Sequence, residues 1–402
     1  MSFGHSAVPE DAIRQELAAK ARELLDSVDL RSISREEFLG ARFDAGLGWL
    51  HFPIGLGGMG LPPALQGFVD LRFREAGAPE HLPGRNGIGR GMAAPTILAC
   101  GTEEQQHRML RPLWTGEHEY CQLFSEPGAG SDLAALATRA DRDGNEWVVN
   151  GQKIWSSSAH TAQRAILLAR TDAGAPKHAG LTFFICDMTV PGIEVRPLRQ
   201  ITGEAEFNEV FMTDVRISDA DRLGPVGDGW RVASVTLSNE RVVFGTRIPR
   251  EQGMIGPTTQ AWREHPELRS PSMHDELMRL WVGAEVSRLA DERFRQRLAS
   301  GQPGPEGSAS KLSFARLAQA ISGFEVQLRR EDGLRYDDWT MRRPESVDFT
   351  GRQAGYRYLR ARGNSLEGGS SEILRNIIAE RVLGLPREAR ADKDVPWKDT
   401  AR

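Results

Sequence analysis

Along the chain the spacing of apolar residues changes twice. Residues 11–26 and 63–76 repeat them at the helical period, and Thr102-Glu-Glu-Gln105 has the form of a capping box opening a helix over 105–114. From about 119 to 225 that period gives way to short alternating or wholly apolar runs. The runs 146–150, 164–170, 181–186, 193–198 and 208–217 are separated by Gly, Asp and Pro, which predicts strands and turns of a β-barrel or sandwich. Helical periods return at 226 and continue through Leu383, broken by a Gly/Pro/Ser-rich loop over 301–308. The pattern predicts an α+β chain in three parts: a helical domain over 1–118, a β domain over 119–225 and a helical domain over 226–402.

Composition narrows the function classes. A chain of 402 residues with 40% hydrophobic and 26% charged residues is long enough for two or three domains with a sizeable core. A formal net charge of −4 gives no reason to expect nucleic acid or an acidic membrane as partner. Cys100, Cys121 and Cys186 are isolated and lack CxxC spacing, so they imply neither a disulfide framework nor a metal site, and they fit a reducing compartment. MSFGHSAVPEDA lacks the basic and apolar regions of a signal peptide, and no apolar stretch approaches the ~18–20 residues of a membrane span. The expectation is a soluble, cytoplasmic protein.

Two short strings carry candidate chemistry. The first, Ser125-Glu-Pro-Gly128-Ala-Gly130-Ser131-Asp132, has glycines that let a ligand approach the backbone and hydroxyls that can donate to it. Asp132 is placed to cap the next helical turn. The second, Gly151-Gln-Lys-Ile-Trp155-Ser-Ser157-Ser, offers an indole face for stacking on a planar ring. A third string, Gly55-Leu-Gly57-Gly-Met-Gly60, spells the dinucleotide-binding GxGxxG. No strand–helix–strand alternation follows it, so it is predicted to be a loop between helices. Further on, Trp230, Ala233, Leu237, Glu240 and Phe244 are spaced as one helical stripe. That puts a carboxylate among apolar residues, where it is costly unless paired or used.

The first two strings resemble the flavin-gripping motifs of the acyl-CoA dehydrogenase family, T/S-E-P-x-A-G-S-D and N-G-x-K-x-W-x-T/S. The segments 196–203, 207–210 and 368–387 are similar to that family's middle domain and closing helix. The resemblance implies the family fold, with a C-terminal four-helix bundle after the β domain. It also implies an FAD-dependent enzyme that takes an α-proton and a β-hydride from an acyl-CoA thioester.

By resemblance Phe124, Ser125, Gly130, Ser131, Trp155 and Ser157 surround the flavin, and Ser370 and Glu372 add contacts at the last helix. Phe124 shapes the acyl pocket or is plain core. The family's commonest base slot holds Gly368, whose N–H can still serve the thioester oxygen, and Glu367 lies one residue earlier as an alternative base. The isovaleryl and long-chain members keep their base on a helix after the β domain, in a motif similar to Leu237-Ser-Asn239-Glu240-Arg241. That makes Glu240 the first candidate base, with Asn239, Arg241 and Ser131 toward the substrate.

Two family motifs, R-x-x-F-G and Q-x-x-G-G-x-G, are missing from their usual regions, where Trp262-Arg-Glu-His-Pro and Arg342-Arg-Pro-Glu stand instead. The resemblance further implies an electron-transfer flavoprotein as acceptor and a homo-oligomer, a tetramer built as a dimer of dimers. A hetero-oligomer with a related subunit is the other assembly. Two alternatives stay open: a non-catalytic subunit completing a partner's flavin site, and an oxidase or monooxygenase on the same scaffold.

Overall fold

The computed structural model describes residues 10–82, 84–243, 249–299, 306–336, 338–344, 352–389 and 392–400, with the side chains of 240–243 and 298–299 outside that description. The chain divides into two compact units, Met1–Tyr120 with Ala162–Arg164 and Cys121–Thr161 with Ala165–Arg402.

The first unit is helical: α1 (Glu10–Ser27), α2 (Arg35–Asp44), α3 (Gln66–Glu75), α4 (Ala94–Cys100) and α5 (Glu103–Thr115). Thr102 and Gln105 form the reciprocal capping box read from the sequence, and Ser34 with Glu37 forms a second one on α2. Leu17, Phe38, Val69 and Phe73 are fully buried in one cluster, the apolar faces of α1, α2 and α3. The GxGxxG string is a packed loop between α2 and α3. Gly57 has φ +83°, and a Cβ there would sit 2.4 Å from the Phe43 ring. Glycine is required at that position by the protein itself, without a nucleotide.

The second unit begins with an eight-stranded sheet of β1 (Tyr120–Leu123), β2 (Arg139–Asp143), β3 (Glu146–Lys153), β4 (Arg164–Arg170), β5 (Leu181–Asp187), β6 (Ile193–Pro197), β7 (Asn208–Ser218) and β8 (Arg222–Leu223). Its order is β6-β7-β3-β2-β4-β5-β8, with β1 paired to β4. Strand β3 pairs antiparallel with β2 and β7, and its register with β7 shifts between Val149 and Gly151. A Cβ at Gly151 would lie 2.7 Å from the Thr138 Cα, so the close approach of the neighbouring backbone excludes any side chain there. Strands β4 and β5 are buried along nearly their whole length, which explains their continuous apolar runs.

Among the described residues six α-helices follow: α6 (Gly229–Val243), α7 (Ile255–Glu264), α8 (Pro271–Ala299), α9 (Gly307–Arg329), α10 (Ala354–Gly363) and α11 (Ser371–Arg381). Helix α9 touches each of the other five. Two expectations need correction. Gly307 and Ser308, read as loop, open α9, where both are buried; residues 301–305 lie outside the description. The helical reading also fails at 338–344. There Arg342 bridges Glu204, and the Arg342 carbonyl accepts from the Ala205 N–H at 2.7 Å, so these backbone groups are satisfied by the β domain rather than by a helix.

Candidate active site

The two motif strings are bound together by one buried ion pair. Lys153, fully buried at the end of β3, donates to Glu126 Oε1 at 2.9 Å, to the Phe124 carbonyl at 2.9 Å and to the Leu168 carbonyl at 2.8 Å. Glu126 in turn accepts from the Ala137 and Thr138 amides at 2.6 and 2.8 Å. Burial is the largest influence on both groups. For Glu126 it is outweighed by Lys153 and the amides, so the carboxyl lies below its ordinary value. For Lys153 burial prevails, and the ammonium is pulled down despite Glu126. The pair is charged in either case, since each partner is fully hydrogen-bonded in its ionised form.

A backbone bond from the Ile154 N–H to the Ser125 carbonyl, 2.9 Å long, then places Ser125 beside Trp155. Trp155 has φ +61° and is 54% exposed, its ring edge-on to Phe207 at 5.8 Å. A large exposed indole held in a left-handed backbone conformation is an uncommon arrangement, and such strain clusters where ligands bind. Ser157 is half-buried and Ser131 exposed. Phe124 is buried against Phe183 with ring centroids 5.7 Å apart, which is core packing. Asp132 does not cap the short 3-10 turn Leu133–Ala135; its carboxylate accepts from Lys177 at 2.8 Å. A nearby cation outcompeted the local amides.

Behind Trp155 the loop is fixed by Asn208, which is fully buried. Asn208 exchanges backbone bonds with Ser156, donates its side-chain amide to the Ser156 and Glu206 carbonyls, and accepts from Arg343 at 3.0 Å. Burial raises the Glu206 carboxyl above the usual range.

The loop between α10 and α11 carries the second set of candidates. Gly368 and Gly369 have φ of +59° and +92°. Lys311, buried on α9, donates to the carbonyls of Asn364, Glu367 and Gly369. Both Glu367 oxygens accept from Arg360, at 3.1 and 2.9 Å. Ser370 caps α11 by accepting from the Ile373 N–H, and Glu372 pairs with Arg375 at 2.9 Å. On α6 the buried positions are Gly229, Val232, Ala233 and Thr236, while Trp230 and Leu237 are only partly buried. Asn239 donates to the Val235 carbonyl at 3.0 Å. The side chains of Glu240 and Arg241, and all of Phe244, lie outside the described residues.

With this geometry in view, models of the acyl-CoA dehydrogenase N-terminal, middle and C-terminal domains match residues 9–117, 121–215 and 227–383. The chain is 39% identical over 354 residues to the acyl-CoA dehydrogenase IpdE1 of Mycobacterium tuberculosis, covering 86% of each. The chain belongs to the acyl-CoA dehydrogenase family. It is 38% identical to the acyl-CoA dehydrogenase FadE34 of the same organism over 93% of its own length and 49% of FadE34, so it spans about half of that relative. Among solved structures it matches the Tcur3481-Tcur3483 steroid ACAD with a TM-score of 0.70 and 26% identity, over 96% of this chain and 100% of the other.

As an acyl-CoA dehydrogenase the chain is an FAD-dependent oxidoreductase acting on acyl-CoA. Its own loop fits the cofactor. A Cβ at Gly128 or Gly130 would meet nothing within 4 Å, and neither has a positive φ, so neither packing nor backbone conformation within the chain calls for glycine. The loop therefore leaves its backbone open to close approach by a ligand. Among the described residues no cluster could hold a metal ion, and no helix is long and apolar enough to cross a membrane.

The positioning groups Glu126, Lys153, Asn208, Lys311 and Arg360 received no role from the sequence. Glu126 and Lys153 stand inside the two quoted strings, but their partners lie far along the chain.

Proposed function

We propose that Glu240 is the base that removes the α-proton of the acyl-CoA thioester, and that the Gly368 N–H serves the thioester oxygen. FAD, when bound, supplies the hydride acceptor. Ser125, Gly130, Ser131, Trp155 and Ser157 would hold it from the β domain, with Ser370 and Glu372 at the start of α11. Phe124 would contribute from behind as a packed wall. Asn239, Arg241 and Ser131 would orient the substrate.

One observation carries the choice of base. Gly368 has no carboxylate, and both oxygens of Glu367 already accept from Arg360. Position 240 falls four residues after the fully buried Thr236 and seven after the fully buried Ala233 on α6. A carboxylate base gains strength in a dry site, because loss of water destabilises its charged form and raises its pKa. Likeness to a steroid ACAD supports a bulky, polycyclic acyl-CoA as substrate. An electron-transfer flavoprotein would take the electrons, and a cytoplasmic setting suits that exchange.

Glu240→Gln should bind FAD and acyl-CoA normally and lose about 10²–10⁴-fold in the rate of anaerobic flavin bleaching, the usual worth of a general base. Glu367→Gln should bleach within a few-fold of wild type. The reverse ranking would sink the assignment.

A second reading has its own support. Residues 338–344, where the family's Gly-Gly motif would serve a neighbouring subunit, are instead pinned to the chain's own β domain through Arg343 and Asn208. That favours a hetero-oligomer in which a related subunit completes the adenosine half of the FAD site, over the dimer of dimers of identical chains. A yellow protein from the chain expressed alone would argue for the homo-oligomer. Peroxide formation during turnover would point to an oxidase.

A further inference from the structure

The family match ends at residue 383, yet the segment 392–400 is folded against the β domain immediately behind the glycine loop. Trp397 is 8% exposed; its indole N–H donates to the Ala135 carbonyl at 3.1 Å and its backbone N–H to the Ala175 carbonyl at 2.9 Å. Lys398 N–H adds a bond to the Ala173 carbonyl at 3.1 Å, and Pro396 bridges Pro176.

The guanidinium of Arg170 lies over the Trp397 ring at 4.2 Å. Arg170 is 3% exposed and donates to the Ala134 and Leu136 carbonyls at 2.6 and 3.0 Å, the residues that follow Ser131 and Asp132. Asp392 shares Lys177 with Asp132, at 2.6 and 2.8 Å.

We infer that residues 392–400 form a clasp on the Ser131 loop, and that Trp397 is a positioning residue for the cofactor and substrate site. The chain of contact is short. Trp397 covers one face of Arg170 and excludes water from it, which strengthens the two carbonyl bonds that Arg170 makes to the loop. The second attachment, Asp392 to Lys177 to Asp132, is charge-based and more exposed, so it contributes less. The role in the site rests on the reading of Ser131 as a cofactor or substrate contact; the mechanical role does not.

The test begins with the ligand-free chain. Hydrogen exchange of the peptide covering 126–139 is compared in wild type, Trp397→Ala and Trp397→Phe. Trp397→Ala should speed exchange across 131–136 by about tenfold or more, as expected for loss of a desolvated cation–π contact and its hydrogen bond. Exchange over 146–153 should not change, and Trp397→Phe should recover most of the protection because a ring face remains on Arg170. Unchanged exchange at 131–136, or an equal rise over 146–153, overturns the clasp.

The second measurement is FAD affinity and acyl-CoA KM in the assembled enzyme. At least one should weaken by about tenfold in Trp397→Ala while kcat holds within a few-fold, the same factor as the loosening of the loop. If exchange responds and neither constant moves, the positioning role is overturned. If Ser131→Ala also leaves both constants untouched, the fault lies in the reading of Ser131.

Discussion

The loop carrying Ser125 and Ser131 and the loop carrying Gly368 are each pinned by a buried lysine, but the two ammonium groups meet different partners. Lys153 meets a carboxylate that belongs to the loop itself, Glu126, along with two carbonyls. Lys311 reaches the backbone, the carbonyls of Asn364, Glu367 and Gly369. The first arrangement ties the loop's shape to one side chain, so Ser-Glu-Pro cannot vary at its second position without leaving a charge stranded. The second is indifferent to side chains. A loop held through its carbonyls can carry Gly368 where the family's commonest base would stand and still keep its path, as the proposed base at Glu240 would require.

The largest effect should come from breaking the first anchor. Lys153→Met leaves Glu126 buried without its counter-charge and should cost about 3–5 kcal/mol of stability, measured by urea unfolding. Adding Glu126→Gln should recover part of that loss, because the stranded charge goes with it. If the double variant is as damaged as the single one, the pair matters through packing and not through charge.

Lys311→Met should be milder, about 1–3 kcal/mol, the cost of leaving buried carbonyls without a donor. Its signature should be local. Exchange at 364–369 should rise while the Ser125 loop keeps its protection, and equal loosening of both loops would contradict their independence.

How much of this was legible beforehand follows from distance along the chain. Helix and strand order was readable because periodicity is local, and the Thr102–Gln105 box because its partners are three residues apart. Glu126 and Lys153 stand 27 residues apart in separate strings, and nothing in either string announces the other. The 338–344 segment read as helix for the same reason: its backbone partners lie near residue 205, far outside any window. Asp132 was misread because capping is a local expectation and Lys177, 45 residues on, is not. Ser370 caps α11 in the slot where the resemblance places a cofactor contact, a local role the sequence reading did not assign. The glycines split by cause. A Cβ at Gly57 would strike the Phe43 ring, whereas one at Gly128 or Gly130 would meet open space, a distinction that composition alone could not draw.

The smallest predicted effect separates the two anchors by pH. The Glu126 carboxyl lies below its ordinary value of 4.5 in the folded chain, because Lys153 and two amides outweigh its burial. On acidification the unfolded chain therefore takes up this proton first. The stabilisation is complete above about 4.5 and is lost progressively as pH falls through the folded value. Carbonyl oxygens do not titrate in this range, so the bonds made by Lys311 contribute no such slope. Urea midpoints for wild type and Glu126→Gln, taken at successive pH values downward from 4.5, should converge as acid removes from the wild type what the variant already lacks. Lys311→Met should instead run parallel to wild type over the same interval. A constant gap between wild type and Glu126→Gln would mean that the carboxylate is not what acid takes away, and that the first loop is held, like the second, by bonds that do not depend on a proton.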